Sequence, residues 1–216
     1  IQLKIKNKYM SVLTDSLNRI MQWLEENRPD YAESFLQGLS DEEIREKLSN
    51  VELELPEEIY ELYRWRNGVE DGEDLKSVVY PSIEFIPLDE AVEYHLGIVE
   101  IDIFEHEDLP NIFELLDANQ VKIYSDTHLF PFLRSNCDFC AVLLSREQQQ
   151  HSPIIDIAHD LDLYFGYRSL TKMMQTLAEY LETGAYYLRE DGFLDWDEEK
   201  MKPIFQKYNP GLSLIN

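Results

Sequence analysis

Between Tyr9 and Asn27 the apolar residues Met10, Leu13, Leu17, Ile20, Met21 and Leu24 return every three or four positions, the spacing of a helix with one inward face. Arg28-Pro29-Asp30 breaks that pattern, and Tyr31 to Leu39 predicts a short second helix capped by Asp30. Ser40-Asp41-Glu42-Glu43 has the form of a capping box and predicts a third helix running through Leu48. A fourth is predicted between Leu55 and Gly68. Pro56 suits its first turn, where a missing N–H has no partner to lose, and Glu57 and Glu58 face the positive end of the helix dipole. Ile59, Leu62, Tyr63 and Arg66 form its inward stripe, and Asn67-Gly68 supplies a left-handed stop. On that reading Gly68→Ala costs on the order of 1 kcal/mol.

Beyond Gly68 the pattern changes to short β-branched and aromatic runs. Val78 to Tyr80, Ile83 to Ile86, Val121 to Tyr124, Leu129 to Leu133, Phe139 to Leu144 and Ile154 to Ala158 are predicted strands. Pro87-Leu88-Asp89-Glu90 opens a helix reaching about Ile101, with Gly97 inside it. Ser169 caps another, whose apolar side is Leu170, Met173, Met174, Leu177, Tyr180 and Leu181 and which ends near Thr183-Gly184 or runs into Tyr187. A last segment, Trp196 to Tyr208, is interrupted by Pro203, and Asn209-Pro210-Gly211 terminates the fold. Strands joined by short links favour antiparallel pairing. The expected architecture is α+β: a mostly antiparallel central sheet flanked by helices, with an N-terminal helical extension, in a single domain over residues 1–216.

Composition sharpens this picture in one respect. The 216 residues carry 19 Lys and Arg against 43 Asp and Glu, a formal charge of −24. Such a field repels nucleic acid and anionic membrane and speeds encounter with a basic partner, although a merely soluble surface can carry the same charge. Its placement is more informative. Residues 77–121 contain no Lys or Arg in 45 positions and eleven carboxylates, interleaved with apolar residues such as Phe85, Ile86, Leu88, Ile98 and Ile101. That is folded structure presenting one sign of charge, and Asp71, Glu73 and Asp74 extend it upstream.

Candidate chemistry is sparse. Cys137-Asp138-Phe139-Cys140 has CxxC spacing, but a second pair is absent and residues three apart on a strand face opposite sides, so two ordinary reduced cysteines are expected and no metal. His95, His106, His128, His151 and His159 are scattered without ligand spacing. There is no GxSxG, Gly-rich phosphate loop or Cys–His signature, and acidic pairs are too abundant to single one out. No enzymatic activity and no cofactor are expected. No leader of basic-then-apolar form opens the chain and no stretch approaches the roughly 18 to 20 apolar residues of a membrane span, so a soluble cytoplasmic protein is expected.

The helix from Leu55-Pro56 through Tyr63 to Asn67-Gly68, followed by Phe85-Ile86-Pro87-Leu88-Asp89-Glu90-Ala91, resembles the SUKH superfamily, which includes the fungal cell-wall assembly regulators. Leu129-Phe130-Pro131-Phe132, Phe139 to Leu144, and Ser169-Leu170 through Tyr180-Leu181 agree in order and spacing, so the likeness covers about residues 40 to 185. Cys137-Asp138 stands where Gly-Asp is usual, and the segments 9–48 and 190–216 lie mostly outside the shared core. The resemblance implies a domain that binds proteins and is not known for catalysis; many bacterial members are immunity proteins that neutralise toxins, often nucleases. Taken with the Lys- and Arg-free run, it implies a basic toxin as partner, met by Asp71, Glu73, Asp74, Asp89, Glu93, Asp102, Glu105 and Asp108. The alternative is a regulatory or scaffold domain serving the cell's own signalling or cell-wall machinery. Neither reading sets an oligomeric state.

Overall fold

In the structure, a computed structural model, residues 10–52, 54–70, 84–101, 115–124, 128–135, 138–158 and 163–214 are described. Helix α1 spans Val12–Asn27 and begins where Ser11 Oγ accepts the Thr14 N–H at 2.9 Å. Its buried residues Leu13, Leu17, Ile20, Met21 and Leu24 are the expected stripe, while Met10 stands 37% exposed before the first turn. Helix α2 is only Pro29–Glu33, and Arg28, not Asp30, precedes it. The helix expected to continue to Leu39 gives way to strand β1, Phe35–Gln37, which pairs antiparallel with β2, Arg66–Val69. Phe35 explains the change. Its ring meets Tyr31 and Trp65 edge-on at 5.5 and 5.8 Å, and this tertiary seam outweighs a weak local helix preference.

The capping box forms as expected: Ser40 Oγ accepts the Glu43 N–H, Glu43 reaches back to the Ser40 N–H, and α3 runs from Asp41 to Lys47. Helix α4 is Glu57–Trp65, with Ile59, Leu62 and Tyr63 buried. Pro56 sits one position earlier than the first turn, as the residue preceding it with ψ 151°. The expected stop is also displaced. The helix already ends at Arg66, which is extended (φ −151°) and opens β2, so Gly68 lies inside a strand. It is left-handed all the same, with φ +82°.

The central sheet contains β3 (Glu84–Phe85), β4 (Leu129–Ser135), β5 (Asp138–Leu143), β6 (Ile154–Ile157) and β7 (Leu163–Tyr167) in that order, every neighbour antiparallel. This is the antiparallel sheet expected from short links. Leu129 to Leu133 are all buried because helices cover both faces. On one side α5, Leu88–Ile101, places Tyr94 against Phe139 at 5.0 Å. The next residue, Cys140, faces the other side, as its register partner Leu133 does, where Leu17, Ile20 and Met174 gather. Val121 to Tyr124 is not the strand expected of it: Asp117 and Gln120 form a second capping box, and Ala118–Ile123 is helix α6. Two good caps outweigh the β-preference of Val121 and Ile123. The run Val78 to Tyr80 lies outside the described residues.

Helix α7, Leu170–Thr183, starts at Ser169, whose Oγ accepts the Lys172 N–H at 3.2 Å, and stops at Gly184 with φ +67°. A hairpin of β8 (Tyr186–Leu188) and β9 (Leu194–Trp196) then leads into α8, Glu198–Tyr208. Pro203 does not interrupt this helix. The bond it removes is the one to the Glu199 carbonyl, and both residues are exposed, so water can satisfy that group while Met201, Ile204 and Phe205 stay buried. Among the described residues no helix is long and apolar enough to cross a membrane.

One carboxyl group is packed into the sheet, partly covered. Asp156 lies opposite Cys140, accepts its thiol hydrogen at 2.8 Å, and has Gly166 on the other side, where a Cβ would come within 3.0 Å of the carboxyl carbon. Burial pushes Asp156 up to about 6 from an ordinary 3.8, against the opposing pull of the Cys140 hydrogen bond. Burial and Asp156 together keep the Cys140 thiol protonated by raising it well above its usual value. An acid raised on folding contributes stability below its unfolded value, and that contribution is lost as pH rises through about 6. Asp156→Asn is therefore expected to gain on the unaltered chain between pH 5 and pH 8, by about 1.4 kcal/mol. Urea unfolding of both proteins at the two pH values measures it, and a pH-independent difference would refute the assignment.

Candidate functional site

Of the eight acids assigned to a partner surface, Asp89 and Glu93 stand on described residues, one turn apart on α5 and both exposed. Asp71, Glu73, Asp74, Asp102, Glu105 and Asp108 lie outside the described residues. Asp89 has an internal role as well, since Lys47 of α3 contacts both its oxygens at 2.7 Å. Neighbouring Glu90 and Glu84 flank Arg134 of β4 at 3.1 and 3.5 Å, with the Tyr94 ring under the same guanidinium. Part of the acidic stretch thus docks α5 onto α3 and the sheet. Asp89 and Glu90 also sit in the first turn of α5, where the dipole favours negative charge.

The residues that carry the family likeness meet at one junction. Tyr63 Oη donates to the Ile86 carbonyl at 3.2 Å, and Asn67 Oδ1 accepts the Leu88 N–H at 3.0 Å. Leu88 opens α5, and Pro87 before it has no side-chain oxygen, so Asn67 caps the helix from 21 residues away. Gly68 lets the β2 backbone lie against Ile86 and Pro87: a Cβ there would reach the Pro87 nitrogen and come within 2.7 Å of the Ile86 carbonyl carbon. The Ile86 N–H continues to the Phe132 carbonyl at 3.2 Å. Leu55 is buried, and the entry to α4 is held by the Glu57 N–H on the Gln149 carbonyl at 2.9 Å. Ser169 and Leu170 are buried at the start of α7.

That start is one wall of a cleft of about 530 Å³, lined by Ser11, Glu58, Glu61, His151, Arg168 and Lys172 among others. Glu58 and Glu61 project from α4 one turn apart, and each caps a different helix. Glu58 Oε1 accepts the Thr171 N–H of α7 at 2.7 Å and meets His151 Nδ1 at 2.9 Å. Glu61 Oε1 accepts the Thr14 hydroxyl at 2.6 Å, the Thr14 N–H at 3.1 Å and the Ser11 hydroxyl at the head of α1. The Glu58 side chain is 2% exposed, and its Oε2 has no hydrogen-bond partner among the described residues. At the rim, Arg168 donates to the Pro210 carbonyl from Nε and Nη2 at 3.1 and 2.9 Å, and Lys172 Nζ donates to Gln175 Oε1 at 3.1 Å.

Sequence reasoning missed this cleft. In the sequence Glu58 shows only as an acid suited to its own helix dipole, and His151 as one of five scattered histidines. The acceptor roles of Glu58 and Glu61 are toward helices 113 and 47 residues away, which local spacing cannot disclose. His95 is a satisfied core histidine: its Nδ1 lies 2.8 Å from the Leu129 carbonyl, and burial lowers its pKa. Cys140 is committed to Asp156, and Cys137 lies outside the described residues. Among the described residues no group of three His, Cys, Asp or Glu could hold a metal ion.

In comparison with known proteins, the sequence model of the SMI1 / KNR4 family (SUKH-1) matches residues 38–183. No match was found among curated proteins. The matched span begins ahead of β2 and the Asn67 cap and ends with α7.

Proposed function

The chain belongs to the SMI1 / KNR4 family (SUKH-1), and from that membership we propose that it is an immunity-type protein, binding and neutralising a basic toxin through an acidic surface. The family is one of immunity and regulatory domains, which fits a non-catalytic role based on protein–protein interaction. The observation that carries the finer reading is the run of residues 77–121, with eleven carboxylates and no Lys or Arg. A surface of that kind suits a toxin whose own site is basic because it handles phosphates: unlike charges steer the encounter, and like charges reject wrong partners. Asp89 and Glu93, exposed on α5, are the described part of that surface.

The test is co-expression with the product of the adjacent gene. The neighbour alone is expected to arrest growth and this chain to restore it. Reversing Asp71, Glu73, Asp74, Glu93, Asp102, Glu105 and Asp108 to lysine, with Asp89 left to its pairing with Lys47, should abolish the rescue while leaving far-UV circular dichroism unchanged. Rescue that survives the reversal would refute the acidic surface. A harmless neighbour would favour a domain of the cell's own regulatory machinery.

A further inference from the structure

The cleft at the heads of α1 and α7 poses a chemical question that the acidic stretch does not answer. Helix N-termini usually invite an anion, but here the anions are already built in: Glu58 serves α7 and Glu61 serves α1. What remains unmet among the described residues is an acceptor, the buried Glu58 Oε2. A carboxylate oxygen without a donor is costly to enclose, and one charged donor would remove that cost. The rim cations do not provide it, since Arg168 is held by Pro210 and Lys172 by Gln175. His151 reaches only the other oxygen, and its side chain is 56% exposed on the segment between β5 and β6.

We propose that this cleft receives a single cationic side chain, the ammonium of a lysine or the guanidinium of an arginine, seated on Glu58 Oε2 as His151 moves aside. The cleft is large enough for such a side chain, and the overall charge of −24 draws cations toward it. The same chemistry has two sources. Lys4, Lys6 and Lys8 precede Ser11 in this chain, and a second protein can present a lysine or arginine. The site stands whether or not the acidic stretch binds a toxin.

The probe is N-acetyl-lysine methylamide, titrated into the full chain and read from the Thr171 amide resonance, whose N–H shares the Glu58 carboxylate. A saturable shift is expected, weakened about tenfold when the probe's amine is acetylated and therefore neutral. Glu58→Gln is expected to remove it. If that variant fails to fold, the charged and neutral probes on the unaltered chain decide alone. In a full chain carrying Lys4→Gln, Lys6→Gln and Lys8→Gln, tighter probe binding identifies the chain's own lysines as the occupant, and unchanged binding identifies an outside donor. Equal binding of the neutral probe, no saturable shift in either chain, or a shift with inorganic phosphate instead would each overturn the proposal.

Discussion

Gly68→Ala is expected to destabilise the protein by about 3 to 5 kcal/mol, several times what a glycine at a helix stop would cost. Two penalties combine. The left-handed backbone, φ +82°, disfavours any Cβ, and the Cβ would be driven into the Ile86 carbonyl carbon and the Pro87 nitrogen. Those neighbours are backbone, so no rotamer change relieves the overlap. Either β2 separates from the start of α5 or the Ile86–Leu88 segment moves, and both responses break the Tyr63 and Asn67 hydrogen bonds across the same junction. Asn67→Ala is the comparison: it removes one cap without creating overlap and is expected to cost about 1 kcal/mol. Urea unfolding of the three proteins separates the readings. A Gly68→Ala loss no larger than that of Asn67→Ala would mean that the close approach is not rigid.

This junction also shows what a sequence discloses and what it withholds. Asn67-Gly68 was legible as a position requiring a left-handed residue, since few other residue types accept positive φ. Its reason was not legible, because the constraint comes from Pro87, nineteen positions on. Elements defined by their own residues were read well: the Ser40 capping box, the α1 and α7 stripes, and the Gly184 stop. Elements defined by a partner were not. Phe35–Gln37 is a strand because β2 lies beside it, and Leu163–Tyr167 because β6 does, with Tyr164 exposed and Phe165 buried over a run too short to declare itself. Ala118–Ile123 is the reverse case, where the Asp117–Gln120 capping box decides against β-branched side chains. The cleft was hidden for the same reason as the strands: every one of its hydrogen bonds from α4 crosses the fold.

Replacing both Leu17 and Leu24 by alanine is expected to remove about 6 kcal/mol, each truncation leaving a cavity worth about 3 kcal/mol. That is a large share of the roughly 5 to 15 kcal/mol that holds a domain of this size. Both leucines lie on α1, ahead of the segment that matches the family and in the part expected to be an extension. Leu17 is 2% and Leu24 0% exposed within the same apolar cluster as the sheet and α7, and Arg19 pairs with Glu182 at the far end of α7. If α1 were an appendage, the double variant would release it early and leave the main thermal transition in place. If α1 is part of the core, a single transition is expected to move down by roughly 12 to 24 °C without splitting. The same variant bears on the cleft, because the head of α1 supplies Ser11 and Thr14 to Glu61 and one wall to the pocket. A helix held less firmly by its leucines holds that wall less firmly too, so hydrogen exchange at the Thr14 amide should rise together with the loss of stability.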